Sequence, residues 1–152
     1  MQKLINSGIY ILEIFAKSPF KLEHNRFGSN LFSKGYYYYV GSAQKNLTQR
    51  IQRHIKKYKK QHWHIDYLTC NKNVEIKNIY VIKDLPKKHE CILNKELVTK
   101  YHLQIPIKGF GSSDCNNCES HLLYSKIAIS YNQLCALYHS TVLFMPSSSD
   151  IC

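Results

Sequence analysis

Two aromatic, β-branched runs near the N-terminus constrain the fold most. The first spans Ser7 to Ala16 and the second spans Tyr36 to Val40, and both are rich in residues that pack well on a pleated surface. Residues 17–34 between them contain proline, glycine and mixed charge, which favours a loop. The simplest pairing of the two runs is an antiparallel hairpin, so the chain is expected to contain a sheet in which these strands are neighbours.

Two helices are predicted by apolar residues that recur at spacings of three and four. The first runs from Leu47 to Tyr58, and its outward positions are rich in lysine and arginine. The second runs from His89 to Tyr101, after a break at Pro86. Both helices are amphipathic, and each is expected to pack one face against the sheet.

Three further segments complete the expected sheet. Val74 to Ile82 alternates apolar and polar residues, His121 to Ile129 is a short apolar run, and His62 to Leu68 alternates weakly and is expected to begin a strand. The order of elements predicts an α/β (α+β) fold with a small, mainly antiparallel sheet flanked by helices. A chain of 152 residues fits one domain, expected at residues 1–130, with a partly disordered C-terminal extension at 131–152.

The charge of the chain indicates its partner. A formal net charge of +11 attracts polyanions, so nucleic acid is the expected partner, with DNA as the first choice. No stretch reaches the roughly 20 apolar residues of a spanning helix, and no membrane partner is expected. The N-terminal residues do not form a secretory leader pattern, which predicts a cytoplasmic protein whose six cysteines stay reduced.

Two tripeptides carry the most specific signal. Gly8-Ile9-Tyr10 lies on the first predicted strand and Tyr39-Val40-Gly41 on the second, and an amphipathic helix with Arg50 and His54 follows. In this order the motifs resemble those of the GIY-YIG nucleases, which include phage intron homing endonucleases and the incision subunit of bacterial excision repair. The resemblance implies a GIY-YIG nuclease-like fold and a metal-dependent endonuclease that hydrolyses phosphodiester bonds in nucleic acid.

A closer resemblance is to a small, largely archaeal branch catalogued as a domain of unknown function and sometimes fused to DNA-glycosylase domains. It rests on His62 to Leu68 (HWHIDYL), on Gly109 to Cys115 (GFGSSDC), and on Ser120 to Leu122 (SHL). The resemblance covers roughly residues 7–124. Many relatives gain specificity from a separate recognition domain, so a protein partner or a fused domain is expected to supply it.

The resemblance implies a role for each residue of the catalytic set. Tyr10, beside Tyr39, would accept the proton of the attacking water as a phenolate, and Arg50 would bind the phosphate. His54, one turn later, would bond the phosphate or relay a proton, although its position on the apolar stripe also suits a core histidine. Glu90 would hold Mg²⁺ or Mn²⁺, because one carboxylate with waters and a phosphate suits a hard cation.

Two choices within this set are open in the sequence. Glu96 also precedes a leucine, but Glu90 fits the Glu-x-x-Leu pattern of the branch better and lies at the helix start. Further contacts with nucleic acid are expected from basic and polar side chains. These residues are Arg53, Lys56, Lys57, His62, His64, Asp66, Ser113 and His121.

The segment Cys115-x-x-Cys118-x-x-His121 has zinc-ligand chemistry but supplies three ligands where a closed site needs four. Cys70 or Cys91 could complete the set. Because the spacing is tighter than that of common zinc modules, the segment is expected to be a polar turn near the cleft rather than a zinc site.

Two other functional classes compete with the nuclease. A catalytically inactive, basic nucleic-acid-binding module on the same fold would explain the charge and the fold, but it would be free to lose the ordered catalytic set. A basic protein-interaction domain would explain the charge alone. The motif order therefore favours the nuclease.

Overall fold

A five-stranded antiparallel sheet forms the centre of the computed structural model, which describes residues 4–112, 115–138 and 141–144. The strands are β1 (Gly8–Ala16), β2 (Gly35–Ala43), β3 (Val74–Lys83), β4 (Leu122–Ser125) and β5 (Thr141–Phe144). The helices are α1 (Leu47–Ile55), α2 (His64–Thr69), α3 (His89–Tyr101) and α4 (Tyr131–Cys135). The strand order is β4-β2-β1-β3-β5, and each neighbouring pair is antiparallel. The expected fold class is confirmed.

The alternation of side chains along β1 places a core on each face of the sheet. Leu12 and Ile14 face the side covered by α1 and α2, whereas Ile9 and Ile11 face the side covered by α3 and α4. All four side chains are fully buried. A central strand that is apolar on both faces needs helices on both sides, and β1 is apolar on both faces except at Glu13, which accepts hydrogen bonds from Tyr38 and Asn78.

The predicted hairpin is confirmed, and it aligns the two tripeptides. Tyr10 on β1 lies opposite Gly41 on β2 in the strand register, and Leu12 lies opposite Tyr39. The predicted strand at Val74 to Ile82 and the helix at His89 to Tyr101 also form, the strand ending one residue later.

The strand expected at His62 to Leu68 is wrong, since α2 occupies His64–Thr69. Ile65 and Leu68, three residues apart, are both buried against the core, which is a helical spacing. The helix starts where the Asp66 carboxylate accepts the backbone N–H of Trp63 at 2.8 Å, as an N-terminal helix carboxylate commonly does. This local bond outweighs the weak alternation of the segment.

The first helix ends at Ile55, three residues before the expected end. Lys56 adopts an extended conformation, and the Lys59 ammonium donates to the terminal carbonyls of Arg53 and His54 at 3.0 and 2.9 Å. A cation at the C-terminus of a helix is favourable because it meets unpaired carbonyls there. Tyr58, expected on the buried stripe, is instead 94% exposed.

The C-terminal segment contributes to the same sheet. The predicted strand at His121 to Ile129 is shorter, at Leu122–Ser125, and is followed by α4 and then by β5, which pairs with β3. α4 and β5 lie in the segment that was expected to be a C-terminal extension. The disorder expected at Ser147 to Asp150 lies outside the described residues.

Candidate functional site

Tyr10 and Gly41 are packed against each other at the centre of the site. A Cβ atom built on Gly41 would lie 2.5 Å from Tyr10 Cζ, closer than real contacts allow. The glycine of the second tripeptide is therefore needed for the tyrosine ring of the first. This contact explains why the two motifs occur together on paired strands.

Tyr10 is hydrogen-bonded to His54 in the interior of the fold. The Tyr10 hydroxyl and His54 Nε2 are 2.8 Å apart, and both side chains are almost fully buried. Burial raises the pKa of Tyr10 well above its usual value, against a smaller lowering by the Arg50 charge. Burial together with the charge of Lys59 lowers the pKa of His54 to about 3. At neutral pH the pair therefore consists of a neutral phenol and a neutral imidazole.

Tyr39 packs against Gly111, a glycine of the GFGSSDC segment. Gly111 has a φ of +68°, and a Cβ there would lie 2.8 Å from Tyr39 Cε1. A positive φ and a close approach of a side chain are both conditions that favour glycine. Burial raises the pKa of Tyr39 well above its usual value, so this tyrosine is also a neutral phenol.

Arg50 is fixed in place on α1. Its Nη1 donates to the backbone carbonyl of Ser42 at 2.7 Å, and its guanidinium carbon lies 5.0 Å from the centre of the Trp63 ring. Stacking on an aromatic ring and a bond to a carbonyl restrict the rotamers of a long side chain. Its planar donor group is therefore oriented before any ligand arrives.

Glu90 reaches the same site from the first turn of α3. One carboxylate oxygen accepts a short hydrogen bond from the Ser42 hydroxyl, and the other lies 2.8 Å from His121 Nδ1. Its side chain is 13% exposed. Glu96, six residues later, lies near Tyr138, whose pKa is raised by burial and then by the charge of Glu96. Glu90 is thus the carboxylate of the two that joins the site, as the branch pattern predicted.

These five side chains line one cavity of about 280 Å³. The expected catalytic set of Tyr10, Tyr39, Arg50, His54 and Glu90 is brought together there, from two strands and two helices. The cavity wall also includes His62, Trp63, His64, Lys87 and Gly111. The cavity thus combines tyrosine hydroxyls, a carboxylate and the oriented guanidinium of Arg50.

Arg53 and Asp66 lie behind this wall. Arg53 Nη1 and Nη2 donate to the two carboxylate oxygens of Asp66 at 2.7 and 2.8 Å, and Asp66 also accepts the backbone N–H of His62 and Trp63. Asp66 is fully buried. Although burial opposes its charged form, the bonds from Arg53 and these N–H groups hold the pKa of Asp66 below its usual range. Asp66 therefore positions the wall around Trp63 and is not exposed to a ligand.

The other expected contact residues fall in different places. His64 Nδ1 accepts the backbone N–H of Gly111 at 2.9 Å, so it links the two branch motifs and borders the cavity. Lys57 donates to the Val74 carbonyl at 2.6 Å, away from the cavity, whereas Lys56 is exposed just after α1. Ser113 lies outside the described residues.

His121 belongs to a cluster of metal-ligating side chains. The ligand atoms of Cys91, Cys115, Cys118 and His121 all lie within 4.8 Å of one another, and together they could hold a metal ion. The sequence left the fourth group open between Cys70 and Cys91, and the structure places Cys91, at the start of α3, beside the other three side chains. Thiolate and imidazole groups suit a softer ion than Mg²⁺.

Three residues of the site were not predicted from the sequence. Ser42 bonds Glu90 and Arg50, Trp63 stacks on Arg50, and Lys87 lines the cavity. Ser42 directly follows the second tripeptide and Trp63 lies inside the HWHIDYL segment, so both lay within motifs already recognised. Lys87 follows Pro86 in a loop that carries no comparable signal.

The fold and the site define a small α+β domain with a tyrosine-lined polar cavity beside a cluster of thiols. The chain belongs to the family described as domain of unknown function DUF123, whose model matches residues 9–143. This match covers both the cavity and the cluster, and it confirms the membership that the branch motifs predicted. No curated protein and no solved structure matches the chain. In the part of the chain that the structure describes, no helix is long and apolar enough to cross a membrane.

Proposed function

We propose that this chain is a GIY-YIG-type nuclease that hydrolyses phosphodiester bonds, with DNA as the first substrate to test. The observation that carries the proposal is the convergence of Tyr10, Tyr39, Arg50, His54 and Glu90 on one cavity. An ordered set of two tyrosines, an arginine, a histidine and a carboxylate has no common structural reason to line one space. The net charge of +11 supports a polyanionic substrate.

The Tyr10–His54 pair supports proton transfer from the attacking water. A permanent phenolate is disfavoured because burial raises the pKa of Tyr10. His54 Nε2 lies 2.8 Å from the Tyr10 hydroxyl and can accept its proton as Tyr10 takes a proton from water. Because burial lowers the pKa of His54 to about 3, this transfer depends on the negative charge of the bound phosphate, which favours the imidazolium. The water oxygen then bonds phosphorus as the bond to the leaving oxygen breaks, and a proton from solvent completes the departing alcohol.

Arg50 would bind the phosphate, and Glu90 would bind the metal ion. The oriented guanidinium of Arg50 can donate to non-bridging phosphate oxygens, where charge develops in the transition state. Glu90 and the Ser42 hydroxyl offer the oxygen donors that Mg²⁺ or Mn²⁺ prefers, with phosphate and water as further ligands. When bound there, the cation would neutralise the leaving oxygen.

The proposal is tested by incubating the chain with duplex, flap, junction and single-stranded DNA and with RNA, in Mg²⁺, Mn²⁺ or EDTA. Cleavage is read on a denaturing gel. Glu90→Gln should lower the metal-dependent rate about a hundredfold or more, because it removes a charge and keeps the shape. Glu96→Gln, on the same helix but outside the cavity, is the matched control and should leave the rate unchanged.

Two outcomes would overturn the proposal. Cleavage that persists in Glu90→Gln and disappears in Glu96→Gln would show that Glu96, and not Glu90, is the carboxylate that the reaction needs. Salt-dependent binding with no cleavage of any substrate would instead identify an inactive nucleic-acid-binding module.

A further inference from the structure

We propose that Cys91, Cys115, Cys118 and His121 bind one structural Zn²⁺ ion, and that this site orients Glu90 in the candidate active site. The zinc site itself does not depend on the proposed nuclease function. The orientation of Glu90 connects the zinc site to the candidate active site and rests on the proposed function.

The geometry of the four side chains suits a closed tetrahedral site. In such a site zinc–sulfur bonds of about 2.3 Å place the ligand sulfurs about 3.8 Å apart. A zinc–nitrogen bond of about 2.0 Å beside such a sulfur gives a nitrogen–sulfur spacing of roughly 3.6 Å, and His121 Nε2 lies 3.7 Å from Cys91 Sγ. The sulfurs of Cys91 and Cys115 are 2.8 Å apart and would separate by about 1 Å on metal binding. All four ligand atoms lie within 4.8 Å of one another, so only small side-chain rotations are required.

The cluster joins three separate parts of the fold. Cys91 lies in the first turn of α3, Cys115 and Cys118 lie in the loop after Gly111, and His121 directly precedes β4. His121 is fixed by backbone bonds, since its N–H donates to Phe110 and its carbonyl accepts from Val40. A metal bound here would therefore tie a loop without helix or strand to the start of α3 and to the edge of the sheet.

Two lysines and one carboxylate border the cluster. A Zn²⁺ ion with three thiolates and a neutral imidazole carries one net negative charge. The space next to the cluster is lined by Lys87, Lys88 and Glu90, together with Cys91, Cys115 and His121. Cations near thiolates stabilise the deprotonated form that zinc requires.

A disulfide is the alternative use of these thiols. The sulfur–sulfur distance of 2.8 Å for Cys91 and Cys115 is longer than the bond of about 2.05 Å, and both cysteines are free. A Cys91–Cys115 disulfide would also leave Cys118 and His121 next to each other without a shared ligand. The zinc site uses all four groups.

The contact between His121 and Glu90 connects the metal site to the cavity. With zinc on Nε2, the His121 proton resides on Nδ1, which lies 2.8 Å from a Glu90 oxygen. Carboxylates commonly orient metal-bound histidines in this way and strengthen metal binding. The same carboxylate accepts from the Ser42 hydroxyl at the cavity wall. Glu90 is therefore a positioning residue for the zinc site and a lining residue of the candidate active site.

The first experiment measures zinc in the full chain purified with reductant and zinc in the growth medium. We expect one zinc per chain, reduced to less than one tenth by Cys118→Ser. Cys70→Ser, which removes a thiol outside the cluster, is the matched control and should keep one zinc. Replacement of zinc by Co²⁺ in the wild-type chain should give thiolate charge-transfer and tetrahedral d–d absorption, a readout that does not depend on a variant folding.

The second experiment tests the contact with Glu90. Glu90→Gln should weaken zinc affinity about 10- to 100-fold in competition with a chromophoric chelator, whereas Glu96→Gln should leave it unchanged. Substoichiometric zinc with a Cys91–Cys115 disulfide in non-reducing mass spectrometry would overturn the zinc site. Equal zinc affinity in wild type and Glu90→Gln would overturn the proposed coupling between Glu90 and the zinc site. Zinc without nuclease activity would refute only the proposed function, and full-rate cleavage by zinc-free protein would refute only the orientation of Glu90 by the zinc site.

Discussion

Replacing Asp66 with asparagine tests whether this carboxylate holds the cavity wall in place. Asp66 accepts Arg53 Nη1 at one oxygen, and Arg53 Nη2 and the N–H groups of His62 and Trp63 at the other. An asparagine must place its NH₂ group against a donor whichever way its amide points. The less damaging orientation faces the NH₂ toward Arg53 Nη1 and keeps the carbonyl for the backbone.

The magnitude follows from these contacts. The variant loses one charge-assisted hydrogen bond and weakens the others, and each such bond contributes about 1.5–3 kcal/mol. The Arg53 side chain is 30% exposed and can be hydrated again, which reduces the loss. We therefore expect Asp66→Asn to lower the free energy of unfolding by about 2–4 kcal/mol.

Urea titration gives the measurement, followed by circular dichroism and by fluorescence of Trp63, the single tryptophan of the chain. The matched control is Glu75→Gln, since Glu75 pairs with Lys77 at 2.8 Å on an exposed surface. That variant should change the free energy of unfolding by about 0.5 kcal/mol or less. If Asp66→Asn lowers the free energy of unfolding by less than about 1 kcal/mol and weakens DNA binding, the positioning role is refuted. Asp66 would then contact nucleic acid, as expected from the sequence.

Three further outcomes follow from the cavity and the charge. Tyr10→Phe removes the hydroxyl bonded to His54 and should slow single-turnover cleavage about a hundredfold or more with DNA affinity nearly unchanged; a matching loss of affinity would indicate a binding role instead. Because burial and Lys59 lower the folded-state pKa of His54 to about 3, its contribution to stability is complete above about pH 6.5 and is lost as pH falls toward 3. Urea titrations across this range should show a flatter pH dependence for His54→Gln, and equal slopes would contradict the burial of a neutral imidazole. Non-specific DNA binding should weaken with salt with a log-log slope of several units, and an affinity unchanged between low and physiological salt would exclude counterion release.

Most of the sheet could be predicted because its strands carry their own pattern. β1 is apolar on both faces and β3 alternates, so each is recognisable without knowledge of its neighbours. The pairing of β1 with β2 followed from the intervening loop. The strand prediction for His62 to Leu68 was wrong because so short a segment shows too little periodicity to separate helix from strand. The Asp66 carboxylate, which accepts the backbone N–H of Trp63, favours a helix start there.

The metal-ligating cluster could be predicted only in part, because one of its ligands is distant in sequence. Cys115, Cys118 and His121 form a local motif, but Cys91 lies 24 residues before Cys115. Its proximity depends on β4 pairing with β2 while α3 packs across the same face of the sheet. Cys70 and Cys91 were equivalent candidates in the sequence, and only the strand order distinguishes them.

Burial determines which polar groups of the cavity are neutral. Tyr10, Tyr39 and His54 are held neutral by burial before a substrate binds. Arg50 and Glu90 line the same cavity as charged groups of opposite sign. A phosphodiester entering this space meets the attraction of Arg50 and the repulsion of Glu90. Offsetting that repulsion requires a cation between the two anions, and this requirement is the physical reason that the proposed activity depends on a divalent metal.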